Sequence, residues 1–260
     1  MAPMTSNGRS HIVAERESRA APHASVIVSL YNYGHYVTEC LESVRAQTLE
    51  DLDLIVVDDC STDGGGDEVA RWLETAGERF NRYRLLRHAQ NEGLASARNA
   101  AFAHARTEFV FVLDADNVLY PRCVQQLVTA LRLSQADFAY CYVEKFGEAV
   151  GLHNVRAWDP ARLHSGNAID AMVLLRRSVW EAVGGYSRDM PSAGWEDFDL
   201  WFRIARNGGW GVQVPEILAR YRVHGQSMLA NITNPNADRL WEYLRSTYPE
   251  FFPKQNERLL

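Results

Sequence analysis

The sequence predicts one α/β domain built on a mostly parallel, Rossmann-like sheet with helices on both faces. Three observations carry this. The runs SVIVSL at 25–30, LDLIVV at 52–57 and EFVFVL at 108–113 are short and nearly all apolar, as in strands covered on both sides. Between them lie stretches whose apolar residues recur at helical spacing, such as Val37, Cys40, Leu41 and Val44. The two kinds of segment alternate through the first half of the chain, the pattern of parallel strands joined by helical crossovers.

Element by element, residues 1–24 mix Ser, Arg, Glu, Pro and Ala with few large apolar side chains. They offer too little burial to offset ordering entropy and are expected to form a flexible N-terminal arm. The first strand, from Ser25, runs into the polar, aromatic loop YNYGHYV and then a helix. A second helical pattern covers 67–75, and RYRLLR at 82–87 reads as a strand. Ala95, Ala97, Ala100, Ala101 and Ala103 mark a closely packed helix before the 108–113 strand. Leu127, Val128 and Leu131 support a helix, FAYCYV at 138–143 a strand, and 144–166 reads as loop. MVLLRR at 172–177 reads as a strand, followed by the short helix SVWEAV and by a helix in WEDFDLWFRIARNGG that stops at Gly208 and Gly209. Residues 25–230 are expected to form the single globular unit, and 231–260 a C-terminal helical tail.

The composition excludes several classes. The 260 residues are 47% hydrophobic and 23% charged, with a net charge of -6, which is ordinary for a globular protein and unlike a disordered or collagenous chain. No long Lys/Arg run is present, so general binding to nucleic acid or anionic membranes is not expected. The four cysteines form no C-x-x-C pair and read as free thiols in a reducing compartment. No window approaches the roughly 18 to 20 apolar residues of a membrane span, and no secretion signal opens the chain. A cytoplasmic protein with no membrane span is expected, and peripheral membrane association is compatible with that reading.

Two of the strand-like runs end in acids: LIVV is followed by Asp58 and Asp59, and FVFVL by Asp114-Ala115-Asp116. Ligands of such sheets sit beyond the carboxyl ends of the strands. Hard cations such as Mg2+ or Mn2+ take carboxylate oxygens together with water and substrate phosphates, and Asp114 with Asp116 fits that use. The alternative is a turn-forming acidic cluster; the preceding strand and the second acidic strand end favour the cation.

Four segments together resemble a family 2 glycosyltransferase of the nucleotide-sugar-dependent GT-A fold: SVIVSLYNYGHYVTECLESVRAQT, LIVVDDCSTD, NEGLASARNAAF with FVLDADN, and GGYSRDMPSAGWEDFDLWFRIARNG. The resemblance runs from about Ser25 to Met228. It implies that Ser29, Tyr31 and Asp59 line the nucleotide-base pocket, that Arg98 lies near the diphosphate, and that Asp58 supports the loop. It implies Asp114 near the ribose and metal, Asp116 as a ligand of Mn2+ or Mg2+, and Asp197 as the general base. Trp195 and Glu196 are implied to touch acceptor or sugar. The Tyr221-Arg222-Val223-His224 segment resembles the ending of many relatives, which places His224 at the metal or diphosphate. Asp199 is expected to serve the helix start rather than the chemistry. The Q-x-x-R-W element of processive members is missing around Asp238-Arg239-Leu240-Trp241, so transfer of single sugars is expected, with inversion, from a UDP- or dTDP-sugar. The acceptor is left open among glycans, lipid-linked intermediates, metabolites and peptides. A catalytically silent nucleotide-binding or scaffold protein is the rival reading, and the full set Asp59, Asp114, Asp116 and Asp197 speaks against it.

Overall fold

Alternate residues of each central strand face opposite sides, and in this chain both sides are apolar. The computed structural model describes residues 10–17 and 22–253. Its elements are β1 (Ser10–Arg16), β2 (Ala24–Leu30), α1 (Gly34–Arg45), β3 (Leu52–Asp58), α2 (Gly65–Ala76), β4 (Arg82–His88), α3 (Leu94–His104) and β5 (Phe109–Asp114). There follow β6 (Val118–Leu119), α4 (Cys123–Ser134), β7 (Phe138–Gly147), β8 (Gly151–His153), β9 (Leu174–Arg176), α5 (Arg177–Ala182), α6 (Glu196–Arg206), β10 (Gly211–Val223) and α7 (Ala237–Thr247).

The strands form one sheet in the order β1-β4-β3-β2-β5-β9-β7-β10-β6, with β8 paired to β7. The run β4-β3-β2-β5 is parallel, while β9 is antiparallel to both its neighbours. Val26, Val28, Leu54, Val56, Phe111 and Leu113 pack under α1, α2 and α4. Ile27, Ile55, Val57, Val110 and Val112 pack on the other face, against α3, α6 and the C-terminal helix α7. Each such fully buried side chain contributes about 1.5–3 kcal/mol. The alanines of α3 let that helix lie close on β2 and β3; Ala97 and Ala101 are buried there.

Three segments differ from the sequence expectation. Residues 10–16, assigned to the flexible arm, form the edge strand β1, antiparallel to β4. Its side chains are mostly exposed, so apolar patterning is weak. It is held instead by main-chain pairing and by Arg84, which reaches Glu15 and Glu17 at 3.2 and 2.6 Å. The remainder of the arm, 1–9 and 18–21, lies outside the described residues, as do 254–260 of the tail. The expected loop 144–166 contains the end of β7, β8 and a 3-10 turn at Pro160–Ser165. The long strand β10 is not evident in the sequence because Pro215 interrupts it; register shifts between Val214, Ile217 and Ala219 absorb the residue. No helix among the described residues is long and apolar enough to cross a membrane.

After β10 the chain turns through Leu229–Thr233 and packs Thr233, fully buried, on the loop before α6. Gly194 in that loop has φ +110, and a Cβ there would overlap the Thr233 hydroxyl. Gly208 also has positive φ, +75, but faces open space. Gly194→Ala is therefore expected to cost about 2–4 kcal/mol, strain plus overpacking, and Gly208→Ala about 1–2 kcal/mol. Urea denaturation of both variants checks the difference; equal losses would mean that the 229–233 segment is not packed tightly on the loop.

Candidate active site

Parallel pairing brings the acidic strand ends together. Leu30 of β2 lies opposite Asp58 of β3, and Ser29 opposite Asp114 of β5, so Ser29, Tyr31, Asp58, Asp59 and Asp114 share one edge of the sheet. The Ser29 hydroxyl is buried and has no hydrogen-bond partner among the described residues, and Tyr31 stands at the rim, 46% exposed. Asp58 accepts from Arg87 Nε at 2.7 Å and from the Ser61 N–H at 2.9 Å, which fastens the loop after β3. Cys60 in that loop has φ +64, a left-handed conformation that Gly or Asn adopts more readily.

Asp59 is 3% exposed and heavily used. Its Oδ1 lies 2.7 Å from His88 Nδ1 and accepts from the Glu92 N–H at 2.8 Å, and its Oδ2 accepts from the Gly93 N–H at 2.8 Å. It thus ties the end of β3 to the turn that starts α3. A carboxylate offers about four acceptor positions, so one remains on Oδ2 for a further donor.

Arg98 of α3 is 2% exposed, and its Nη2 donates to both oxygens of Asp114, at 2.8 and 3.1 Å. Its guanidinium lies 5.3 Å from the centre of the Tyr186 ring. The cation expected near the diphosphate is thus already engaged with Asp114, while its buried Nε has no partner among the described residues. Burial works against the charge on Arg98, but Asp114, Tyr186, Glu196 and Asp197 outweigh it and hold the guanidinium firmly protonated.

The second acid of D-A-D faces β10. Asp116 Oδ2 is 3.1 Å from His224 Nε2, and both residues are 8% exposed. The His224 ring lies against Tyr33 and Tyr36, with centroids 5.5 and 5.2 Å away, and its Nδ1 is buried without a partner among the described residues. Arg222 braces the pair: its Nε donates to the Asp116 carbonyl at 2.9 Å, and its guanidinium lies 4.4 Å from the ring centroids of both Tyr36 and Phe146. Burial, then Asp114, push the Asp116 carboxyl above the usual range, while His224 opposes them. Among the described residues no three His, Cys, Asp or Glu converge on one metal position. Asp116 and His224 are the pair that could hold a hard cation, with water and phosphate oxygens completing it.

Helix α6 brings the third group of acids. Glu196 Oε2 accepts from the Gly194 N–H at 2.8 Å, and Asp197 Oδ2 accepts from Asn167 Nδ2 at 2.8 Å. Burial raises the pKa of both carboxyls, and Arg98 is the main opposing charge for each. Asp199 is completely buried, bound to Arg203 Nη2 at 2.7 Å and to the Tyr248 hydroxyl at 2.6 Å. Its role is structural, as expected, but through a buried ion pair rather than a cap. Trp195 is half-buried, edge-on to Phe198 and Trp241 at 5.5 and 5.1 Å.

Two residues of this site escaped the sequence reading. Asn167 orients Asp197, and Asp170 lies in the same electrostatic neighbourhood. Half-buried, Asp170 has its pKa pushed to about 7, first by burial and then by Asp197 and Asp114, against the Met172 N–H that it accepts at 2.9 Å. In the sequence both belong to N-A-I-D after a loop, where no periodicity marks them.

The profile of glycosyl transferase family 2 matches residues 25–185, more than half of the chain. The chain belongs to glycosyl transferase family 2. Among relatives of this glycosyltransferase, the putative glycosyltransferase EpsE of Bacillus subtilis is 26% identical over 208 residues, 78% of this chain and 74% of that protein. The O-antigen biosynthesis protein RfbC of Myxococcus xanthus is 29% identical over 75% of this chain, but the match spans only 16% of RfbC. Among solved structures, S. aureus TarS 1-349 in complex with UDP-GlcNAc superimposes with a TM-score of 0.68 at 19% identity, over 80% of this chain and 61% of that one. The mannosyltransferase PcManGT of Pyrobaculum calidifontis, in complex with GDP-Man and Mn2+, gives 0.64 at 23% identity, over 81% and 60%. The chain thus spans about three fifths of these solved chains, and their likeness shows the expected GT-A fold.

Asp170 generates a stability test. A carboxyl whose folded pKa exceeds its unfolded value adds stability that is complete below the unfolded value near 3.8 and lost as pH rises through about 7. Asp170→Asn cannot lose a proton, so its stability relative to wild type is expected to rise between pH 5 and 8. Denaturation at both pH values checks this; a constant difference would mean that Asp170 ionises as an ordinary surface acid.

Proposed function

We propose that this glycosyltransferase moves single sugars, with inversion, from a nucleoside-diphosphate sugar to an acceptor hydroxyl. The observation that carries the reading is the buried Arg98, which is ion-paired to Asp114 and is the main opposing charge for Glu196 and Asp197. Strand ends and the start of α6 are thereby joined in one polar site. UDP is the preferred nucleotide: TarS was solved with UDP and with UDP-GlcNAc, and the remaining acceptor position of Asp59 suits the imide N–H of a uracil or thymine base. Ser29 and Tyr31 flank that position, and Asp114, held by Arg98, faces the ribose.

Mn2+ or Mg2+ belongs to the proposal, supported by the Mn2+ complex of PcManGT and by the chemistry of the donor pair. Asp116 and His224 would hold it, and when bound it neutralises charge on the leaving diphosphate. Arg222 and Asn117 fix the backbone on either side, through the Asp116 carbonyl and the Arg222 N–H.

On the opposite side Asp197 accepts the proton of the acceptor hydroxyl as its oxygen attacks the anomeric carbon and the bond to the diphosphate breaks. Asn167 occupies Oδ2 and leaves Oδ1 for that proton. Burial makes Asp197 a stronger base than a surface carboxylate, while Arg98 and Asn167 oppose that shift. Glu196 and Trp195 flank the reacting hydroxyl. The four free thiols, three of them buried, suit a reducing, cytoplasmic setting.

Asp197→Asn is expected to lower kcat by about 10²- to 10⁴-fold while changing the Kd for UDP less than twofold. Asn167→Ala removes a hydrogen bond to the ionised base, so the acid limb of the pH–rate profile is expected to move to higher pH. Wild-type turnover by Asp197→Asn would sink the assignment of the base. Binding of UDP without hydrolysis or transfer from any of a panel of UDP-, dTDP- and GDP-sugars would favour a silent scaffold.

A further inference from the structure

A cavity of about 310 Å³ lies between the 3-10 turn at Pro160–Ser165 and α6, lined among others by Arg156, Trp158, Arg162, Asn167, Ile169 and Trp201. Its size falls within the range of small-molecule sites. It shares a wall with the reacting centre, since Asn167 lines it and also donates to Asp197 at 2.8 Å.

The chemistry of the walls is selective. Trp201 gives its indole N–H to the Ile169 carbonyl at 3.0 Å, but Trp158 Nε1 is buried with no acceptor among the described residues. The Trp158 ring is fixed edge-on to Phe138, centroids 5.1 Å apart. A buried donor left unpaired is costly, and an acceptor oxygen on a ligand relieves that cost. At Arg156 the main chain is pinned, its carbonyl accepting from the Tyr140 hydroxyl at 2.8 Å and from Gln213 Nε2 at 3.0 Å. Its exposed guanidinium makes no hydrogen bond or ion pair among the described residues. Arg162 is paired with Asp159 at 3.4 Å, so two guanidiniums face one carboxylate and the lining carries a surplus positive charge.

We infer that this cavity is the acceptor compartment, and that it takes a sugar carrying a carboxylate or phosphate. The anionic group meets Arg156, and an oxygen of the ring or its substituents accepts from Trp158 Nε1. The inference rests on the reading of Asp197 as the base, because it is the shared Asn167 wall that makes the ligand an acceptor.

The test is a titration of the full chain with glucuronate, glucose 6-phosphate, inorganic phosphate and glucose. It is followed by the indole N–H resonance of Trp158, assigned by its loss in Trp158→Phe. Glucuronate or glucose 6-phosphate is expected to shift that resonance with at least tenfold higher affinity than glucose. Arg156→Ala is expected to abolish the preference, and Arg71→Ala, a surface change on α2, to keep it. Asp197→Asn is expected to bind the sugars like wild type, so a failed base assignment shows in turnover and a failed compartment in binding. An unmoved Trp158 resonance, equal affinity for glucose, or an unchanged preference in Arg156→Ala would overturn the inference. So would inorganic phosphate binding as tightly as glucose 6-phosphate, which would mark an adventitious anion site only.

Discussion

One buried guanidinium, that of Arg98, sets the terms for the acids around it. Asp114, Glu196 and Asp197 arrive from a strand end and a helix start, and burial makes charge unfavourable on Glu196 and Asp197. Carboxylates crowded in this way take up protons unless a cation compensates them. Arg98 is that cation, bound to Asp114 through two contacts and opposing the rise in proton affinity of the other two. A guanidinium suits the position because it stays charged in a buried site where a lysine would lose its proton. The compensation is partial, and Asp116 and Asp170 still have raised proton affinity. What remains is the charge deficit that a divalent cation would fill beside a diphosphate.

The fold makes this crowding possible by bringing strand ends and later segments of the chain to one place. Parallel strands in register fix one side of the site, with Ser29, Asp58 and Asp114 as adjacent steps of one sheet. The other side comes from segments far apart in the chain: Asn167 and Asp170 before β9, α6, and β10 with His224. Thr233 against Gly194 ties the last of these to the start of α6. A disturbance at the C-terminal segment is thereby felt at Glu196 and Asp197.

Much of this was legible in the sequence, and the limits have physical causes. The central strands were readable because burial on both faces makes them almost wholly apolar. The acids that follow them were readable because a parallel sheet places its ligands at those ends. Edge strand β1 and strand β10 were not, since one is held by main-chain bonds with its side chains in water and the other is broken by Pro215. Motif position singled out Arg98, Asp114, Asp116, Glu196, Asp197 and His224, but not how they pair. Arg98 spends its contacts on Asp114, and Asp59 braces the turn before α3 with three of its acceptor positions. Asn167 and Asp170 lay beyond reach, because their proximity to Asp197 depends on how a loop closes over α6.

The charge deficit around Asp116 is most directly examined by calorimetric titration of UDP into the protein, with excess Mn2+ and then with excess chelator. The account predicts binding at least tenfold tighter with Mn2+, and loss of that gain in Asp116→Asn. Equal affinity for UDP in the two conditions would contradict it.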